Sequence, residues 1–163
     1  LHASKHSFPT RRSSDLKASD IQCLTESQEQ QTLFGFCSVE LSRYPELEML
    51  AHIPNEGKRT KSTGGILKKE GFRKGYPDIV LNVSKQDYHG LFLELKRKRG
   101  YKVTKEQKEW IIKLNRQGNA AAFCYGWEQA WEFIYAYLTC DKSVNSENIV
   151  KSYISKSLKV AAE

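Results

Sequence analysis

The sequence predicts an α/β fold in which helices flank a small mixed β-sheet. Three observations lead there. Stretches of strand-like alternation, rich in β-formers, interleave with stretches whose apolar residues recur at helical spacing. Two of the β-rich stretches face each other across a polar turn and read as an antiparallel hairpin. The order along the chain is helix, strand, helix, hairpin, helix, strand, helix, and helices on both faces of one sheet are the economical arrangement for it. Composition agrees: 163 residues suffice for one domain with a core, and 39% hydrophobic with 28% charged residues suits a globular chain.

Residues 1–20 are polar, lack periodicity and are expected to be disordered; their SFPTRRSSDL portion resembles translated sequencing adapter, so they are set apart as a disordered or non-native segment. Thr25 caps a helix that runs to about Ser42. Glu26, Gln30, Leu33, Cys37 and Leu41 share one face of it, with Phe34 beside them. Glu26, a carboxylate at the head of that face, is a candidate site residue. Glu29 is read as falling off the register and is the runner-up. Either acid also suits a helix N-terminus. Tyr44-Pro45 ends the segment, and residues 49–53 read as a short strand. The loop NEGKRTKSTGG, residues 55–65, can lie along a phosphate backbone through Lys58, Arg59 and Lys61, or stay solvated. Residues 66–71 predict a short helix leading to Phe72–Gly75, where Gly71 and Gly75 permit a close approach.

The hairpin is the centre of the chain. Its strands are Asp78–Val83 and Gly90–Lys96, joined by polar residues 84–89. Alternation puts Leu91, Leu93 and Leu95 on one side and Phe92, Glu94 and Lys96 on the other. An acid and a base in an otherwise apolar strand are tolerated inside only when paired or holding a metal. Asp78, just after Pro77, comes level with Glu94 across the hairpin. Two carboxylates and a lysine then converge, which suits metal-assisted hydrolysis of a phosphodiester. The alternative is a solvated strand edge and a turn acid.

Beyond the hairpin, Thr104 caps a helix with Gln107 at capping-box spacing. Trp110, Ile111 and Leu114 form its stripe, and Gly118 ends it. Residues 120–125 predict a strand, and 127–138 a helix with Trp131, Ile134 and Leu138 inward. Residues 141–163 predict a weaker helix carrying Ile149, Tyr153, Ile154 and Leu158, which packs locally or meets a partner chain.

Net charge is +7, and residues 57–108 hold 15 Lys/Arg against 5 Asp/Glu, so positive charge surrounds the acidic centre. That is the footprint of a nucleic-acid binder. Cys23, Cys37, Cys124 and Cys140 are scattered without CxxC pairs, which argues against zinc and for reduced thiols, with Cys37 and Cys124 in the core. His52 and His89 lack metal-ligand spacing and read as structural or surface residues. The chain's start shows no signal-peptide pattern, and no apolar run reaches the ~20 residues of a membrane span.

Pro77-Asp78 followed by Glu94-Leu95-Lys96 resembles the PD-(D/E)XK nuclease signature. The wider text resembles the VRR-NUC domain family in its stand-alone phage and bacterial form. The matching pieces are Glu26-xxx-Gln30, the run His52 to Arg59, Gly75-Tyr-Pro-Asp78, the run Gly90 to Arg97, Gln107-xx-Trp110 and Tyr125-Gly-Trp127, in family order over about residues 25–138. The resemblance implies a restriction-endonuclease-like core, taken as 21–140, and residues 141–163 beyond it are expected to form a C-terminal helical extension. It implies an intracellular (cytoplasmic), bacterial or phage-encoded Mg²⁺-dependent endonuclease in which Mn²⁺ substitutes. Asp78, Glu94, the Leu95 carbonyl and Glu26 would hold the metal. Asp78, Glu94, Lys96 and Gln107 would form the catalytic set. Lys58, Arg59, Lys61, Arg73, Lys74, Arg97, Lys98 and Arg99 would contact phosphates. It further implies a homodimer acting on branched DNA as a Holliday-junction resolvase. A non-catalytic DNA-binding module on the same fold and an RNA-directed nuclease stay open.

Overall fold

The structure is a computed structural model and describes residues 23–54, 69–139 and 145–163. The expectations for residues 1–20, for the loop bearing Lys58, Arg59 and Lys61, and for most of the helix at 66–71 lie outside these residues. The described helices are α1 (Glu26–Glu40), α2 (Lys105–Arg116), α3 (Trp127–Thr139) and α4 (Ser146–Ala162). The strands are β1 (Leu50–His52), β2 (Ile79–Leu81), β3 (Leu91–Lys96) and β4 (Ala120–Tyr125). A 3-10 turn at Pro45–Met49 takes the front of the strand expected at 49–53. The strands form one mixed sheet in the order β1-β2-β3-β4, antiparallel up to β3 and parallel between β3 and β4. A parallel pair needs a crossover, and α2 supplies it.

β3 is buried on both faces because helices cover both. Leu91, Leu93 and Leu95 join Leu33 and Cys37 of α1 and Phe133, Ile134 and Tyr137 of α3 in the main core. On the other side Phe92, Phe123 and Ala121 pack with Ile111 and Leu114 of α2. Burial raises the Cys37 thiol to about 11 and pushes Cys124 higher still, so both stay protonated and inert inside. Trp131 departs from expectation. It lies half-buried in an aromatic seam between α1 and α3, 4.9 Å from Phe36 and 6.0 Å from Tyr135, while Phe133, Ala130 and Tyr137 take the inward positions.

Tyr137 also anchors the hairpin turn. Its hydroxyl donates to Val83 O at 2.6 Å and accepts from Lys85 N at 3.3 Å, while Gln86 Nε2 donates to Ala136 O at 3.0 Å. Such ties fix register, and register decides which side chains reach the site.

α4 packs on this same domain, against α2, α3 and β4. It lies along the open edge of β4, where N–H groups face away from β3. A bare edge strand is a template for unwanted pairing. Here three helices each cap one donor by a side chain. Ala121 N donates to Asn115 Oδ1 at 3.2 Å, Phe123 N to Ser157 Oγ at 2.9 Å and Tyr125 N to Gln129 Oε1 at 3.2 Å. Among the described residues no helix is long and apolar enough to cross a membrane. Ser157→Ala should leave the Phe123 N–H buried without its acceptor and lower the unfolding free energy by about 1–3 kcal/mol. Urea denaturation measures it, and an unchanged midpoint would show that α4 does not secure the edge.

Candidate active site

Strand alternation on β3 turns Glu94 and Lys96 toward α2, where they lie almost wholly buried, 1% and 3% exposed. They are buried because they satisfy each other: Lys96 Nζ stands 2.9 Å from Glu94 Oε1. The same oxygen accepts a short hydrogen bond from Gln107 Nε2. Gln107 Oε1 accepts the Thr104 N–H at 2.8 Å, so one side chain both closes the capping box of α2 and grips the carboxylate. Glu26 Oε1 approaches the ammonium from α1, at 3.7 Å. Burial works against the charged lysine, but Glu94, Glu26 and Asp78 together outweigh it and hold the Lys96 pKa above its ordinary value.

Asp78 enters from the neighbouring strand. Ile79 pairs with Leu93, so the same register carried one step further sets Asp78 beside Glu94. Its Oδ2 accepts the Leu95 N–H at 3.1 Å. Its main-chain oxygen accepts from Ile53 N at 2.7 Å and from His52 Nδ1 at 3.1 Å.

The approach to Asp78 is stapled to the first turns of α2. Gly75 has φ of +76°, and a Cβ there would lie 2.7 Å from Gln107 N, so only glycine fits this close passage. Trp110 Nε1 donates to Lys74 O at 3.1 Å, and the Tyr76 and Trp110 rings meet edge to face at 4.9 Å. Asp78 and Gln107 are thereby positioned by one packed unit.

Two clefts open on this centre. One, of about 380 Å³, is lined by Glu26, Gln30, His52, Asp78 and Leu95. The other, of about 370 Å³, is lined by Glu26, Lys96, Tyr101, Thr104 and Gln107. Glu26 borders both. Asp78, Glu94, Lys96, Gln107 and Glu26 are thus brought to one region, but the acids do not meet at a single point. Glu94 and Glu26 turn to the ammonium, and Asp78 to the Leu95 N–H. Among the described residues no three His, Cys, Asp or Glu side chains form a ready-made cation cluster. Their chemistry, carboxylates beside the main-chain carbonyl of Leu95, is the hard-oxygen donor set that suits Mg²⁺.

Of the phosphate contacts expected from sequence, those described are exposed and partly engaged. Lys74 pairs with Glu106 and Lys98 with Glu128, each at 2.7 Å. Arg97 folds back through Nε onto Gly100 O at 3.1 Å. Arg73 and Arg99 are exposed.

Two residues near the site were placed differently by the sequence reading, and one, Tyr101, was not named by it. Glu29 lies on the buried stripe of α1 with Leu33 and Cys37, contrary to the register expected for it. Its Oε2 accepts the Trp127 N–H at 2.8 Å, so it answers an orphan donor at the start of α3. The four-residue spacing to Leu33 and Cys37 was the available signal. His52 borders the acidic cleft through its tie to Asp78, and Tyr101 borders the other cleft. His52 opens a run that matches the family but lacks metal-ligand spacing, and Tyr101 carries no motif signal.

A family model described as the VRR-NUC domain matches residues 17–128 of the chain. A solved structure described as a VRR_NUC domain protein is similar over 74% of this chain and 93% of that one, with 25% sequence identity and a TM-score of 0.62. No curated protein matches the chain.

The different surroundings of the two first-helix acids are measurable. Glu29→Gln should lower the unfolding free energy by about 1–2 kcal/mol, because it removes a capping charge from the start of α3. Glu26→Gln should cost less, because its side chain is 36% exposed and its carboxylate stands 3.7 Å from the Lys96 ammonium, beyond hydrogen-bond reach. Parallel denaturant titrations check this, and equal losses would make Glu26 a structural residue.

Proposed function

This chain belongs to the VRR-NUC domain family, and from that premise and the geometry around β3 we propose that it is a metal-dependent, structure-selective DNA endonuclease. It carries a nuclease-type domain. The observation that carries the proposal is the buried Glu94–Lys96 pair on β3, with Asp78 placed on the neighbouring chain by the β2–β3 register and bonded to the Leu95 N–H. A module that only bound DNA would gain nothing from two charges inside its sheet, since such burial is costly.

The donor chemistry fits a hard divalent cation, with Mn²⁺ as the substitute for Mg²⁺. Asp78, Glu94 and the Leu95 carbonyl would hold it, with Glu26 direct or through water. When bound, the ion polarises the phosphate and makes a bound water more acidic. The chain's own groups do the rest. Gln107 fixes the Glu94 carboxylate. Lys96 has three N–H donors; one goes to Glu94, and the others serve the attacking water or the phosphoryl oxygen on which charge develops. Exposed ion pairs such as Lys74–Glu106 and Lys98–Glu128 are worth little in water, so both lysines can exchange their acids for phosphates. Arg73, Arg97 and Arg99, exposed on the same segments, add to these cations. In-line attack of water opposite O3′, with O3′ leaving and taking up a proton, would give the 5′-phosphate and 3′-hydroxyl that the family resemblance implies. The substrate class is branched DNA, four-way junctions among it. One site cuts one strand, and a two-fold homodimer supplies the second.

Asp78→Asn and Glu94→Gln should each lower cleavage of a four-way junction by on the order of 10²–10³ or more, with most DNA affinity kept. Gel assays with Mg²⁺, Mn²⁺ or EDTA read this out, and a Glu94→Gln enzyme of normal turnover would sink the assignment. Binding should weaken with salt by about 0.9 log units per phosphate neutralised, and replacing Lys58 and Arg59 should flatten that slope by roughly two. Light scattering should give a dimer whose cuts map symmetrically across the junction; a monomer that nicks linear duplex equally fast would remove the junction reading and leave the nuclease.

A further inference from the structure

Directly after the catalytic lysine the chain makes a tight turn. Arg97 clasps Gly100 O through its guanidinium, and Gly100 holds φ of +63°. The turn delivers Tyr101, a large aromatic left 44% exposed. Its ring lies 4.5 Å from the Tyr125 ring, and Tyr125 pairs in register with Lys96. Burial, with Tyr101 beside it, pushes the Tyr125 hydroxyl up to about 12, so Tyr125 is a neutral backing for the exposed ring. Tyr101 lines the same cleft as Lys96, Gln107 and Glu26, and the cations Arg97 and Lys102 line it too. The nuclease chemistry gives Tyr101 no role.

We propose that Tyr101 is a stacking platform for the base next to the scissile phosphate, which makes an unpaired nucleotide at that position part of the substrate. This rests on the nuclease reading and adds a specificity residue to it. A phosphate held at Lys96 brings its own nucleotide to the neighbouring Tyr101. In a paired duplex that base is closed into the stack, and drawing it out costs free energy. A base already unpaired, at a branch point, gap or flap, escapes most of that cost. The platform is fixed in advance by the Arg97 clasp and by Tyr125, so little side-chain freedom is lost when a base lands on it. Stacking on an aromatic ring accepts any base. Selection would therefore follow the geometry of the DNA and not its sequence.

The test uses the full chain with junction DNAs carrying 2-aminopurine in turn at each nucleotide flanking the branch. Wild type and Tyr101→Trp should quench the fluorophore at one position in EDTA. Tyr101→Ala should lose that quenching and, with Mg²⁺, fall about tenfold or more in kcat/KM on the junction, while Tyr101→Trp stays within about threefold of wild type. An unchanged denaturation midpoint for Tyr101→Ala excludes misfolding, and Tyr101→Phe, whose ring is kept, gives the same contrast with Ala if that midpoint moves. Quenching and cleavage by Tyr101→Ala equal to wild type would overturn the platform and leave the nuclease standing. Tyr101-dependent quenching by a chain that cuts no DNA would support the platform and remove the nuclease.

Discussion

The buried pair of Glu94 and Lys96 constrains the rest of the molecule. Neither charge can lie inside β3 unpaired, because each would keep its desolvation cost with nothing to offset it. Their mutual contact answers part of that, Gln107 answers more, and Glu26 adds a second acid at the rim of the ammonium. Gln107 can serve only if α2 begins where it does, and Thr104 sets that start. The loop before Asp78 must then pass α2 at a distance that admits no Cβ, which accounts for Gly75. One ion pair thus links the central strand, two helix starts and a glycine.

Much of this was legible in the sequence because strand alternation is a strong rule. Polar residues at 94 and 96 among leucines could only share a face, and the hairpin length brought Asp78 level with them. The capping role of Gln107 was readable from its spacing to Thr104, and its place beside the acidic centre came from the family resemblance. What stayed hidden depended on contacts distant along the chain. Glu29 meets Trp127 across 98 residues, and no local pattern reports that. Trp131 fitted an inward stripe by spacing, yet Phe133 and Tyr137 of the same helix take the inward positions and Trp131 is left half-buried in the seam with Phe36. The engagement of Lys74 and Lys98 with surface acids was hidden in the same way, since each partner belongs to another segment.

The two faces of the sheet divide the labour. The face toward α1 and α3 is apolar and carries most of the core. The face toward α2 holds a smaller apolar cluster and gives the rest of its area to the charged centre. Polar groups there are acceptable because the larger cluster across the sheet supplies the hydrophobic stabilisation. Active centres are affordable where another layer keeps the domain folded.

The cover on β4 has a consequence for how this domain can be shortened or joined to others. The VRR-NUC match ends at residue 128, whereas Ser157, which answers Phe123, lies well beyond it. A chain cut after α3 would keep every residue of the charged centre yet present an apolar strand with a donor facing outward. Such an edge recruits strands from neighbouring molecules and favours insoluble assemblies. The last helix is in this sense a built-in solubility device, and any trimmed or fused version of the domain needs a substitute for it.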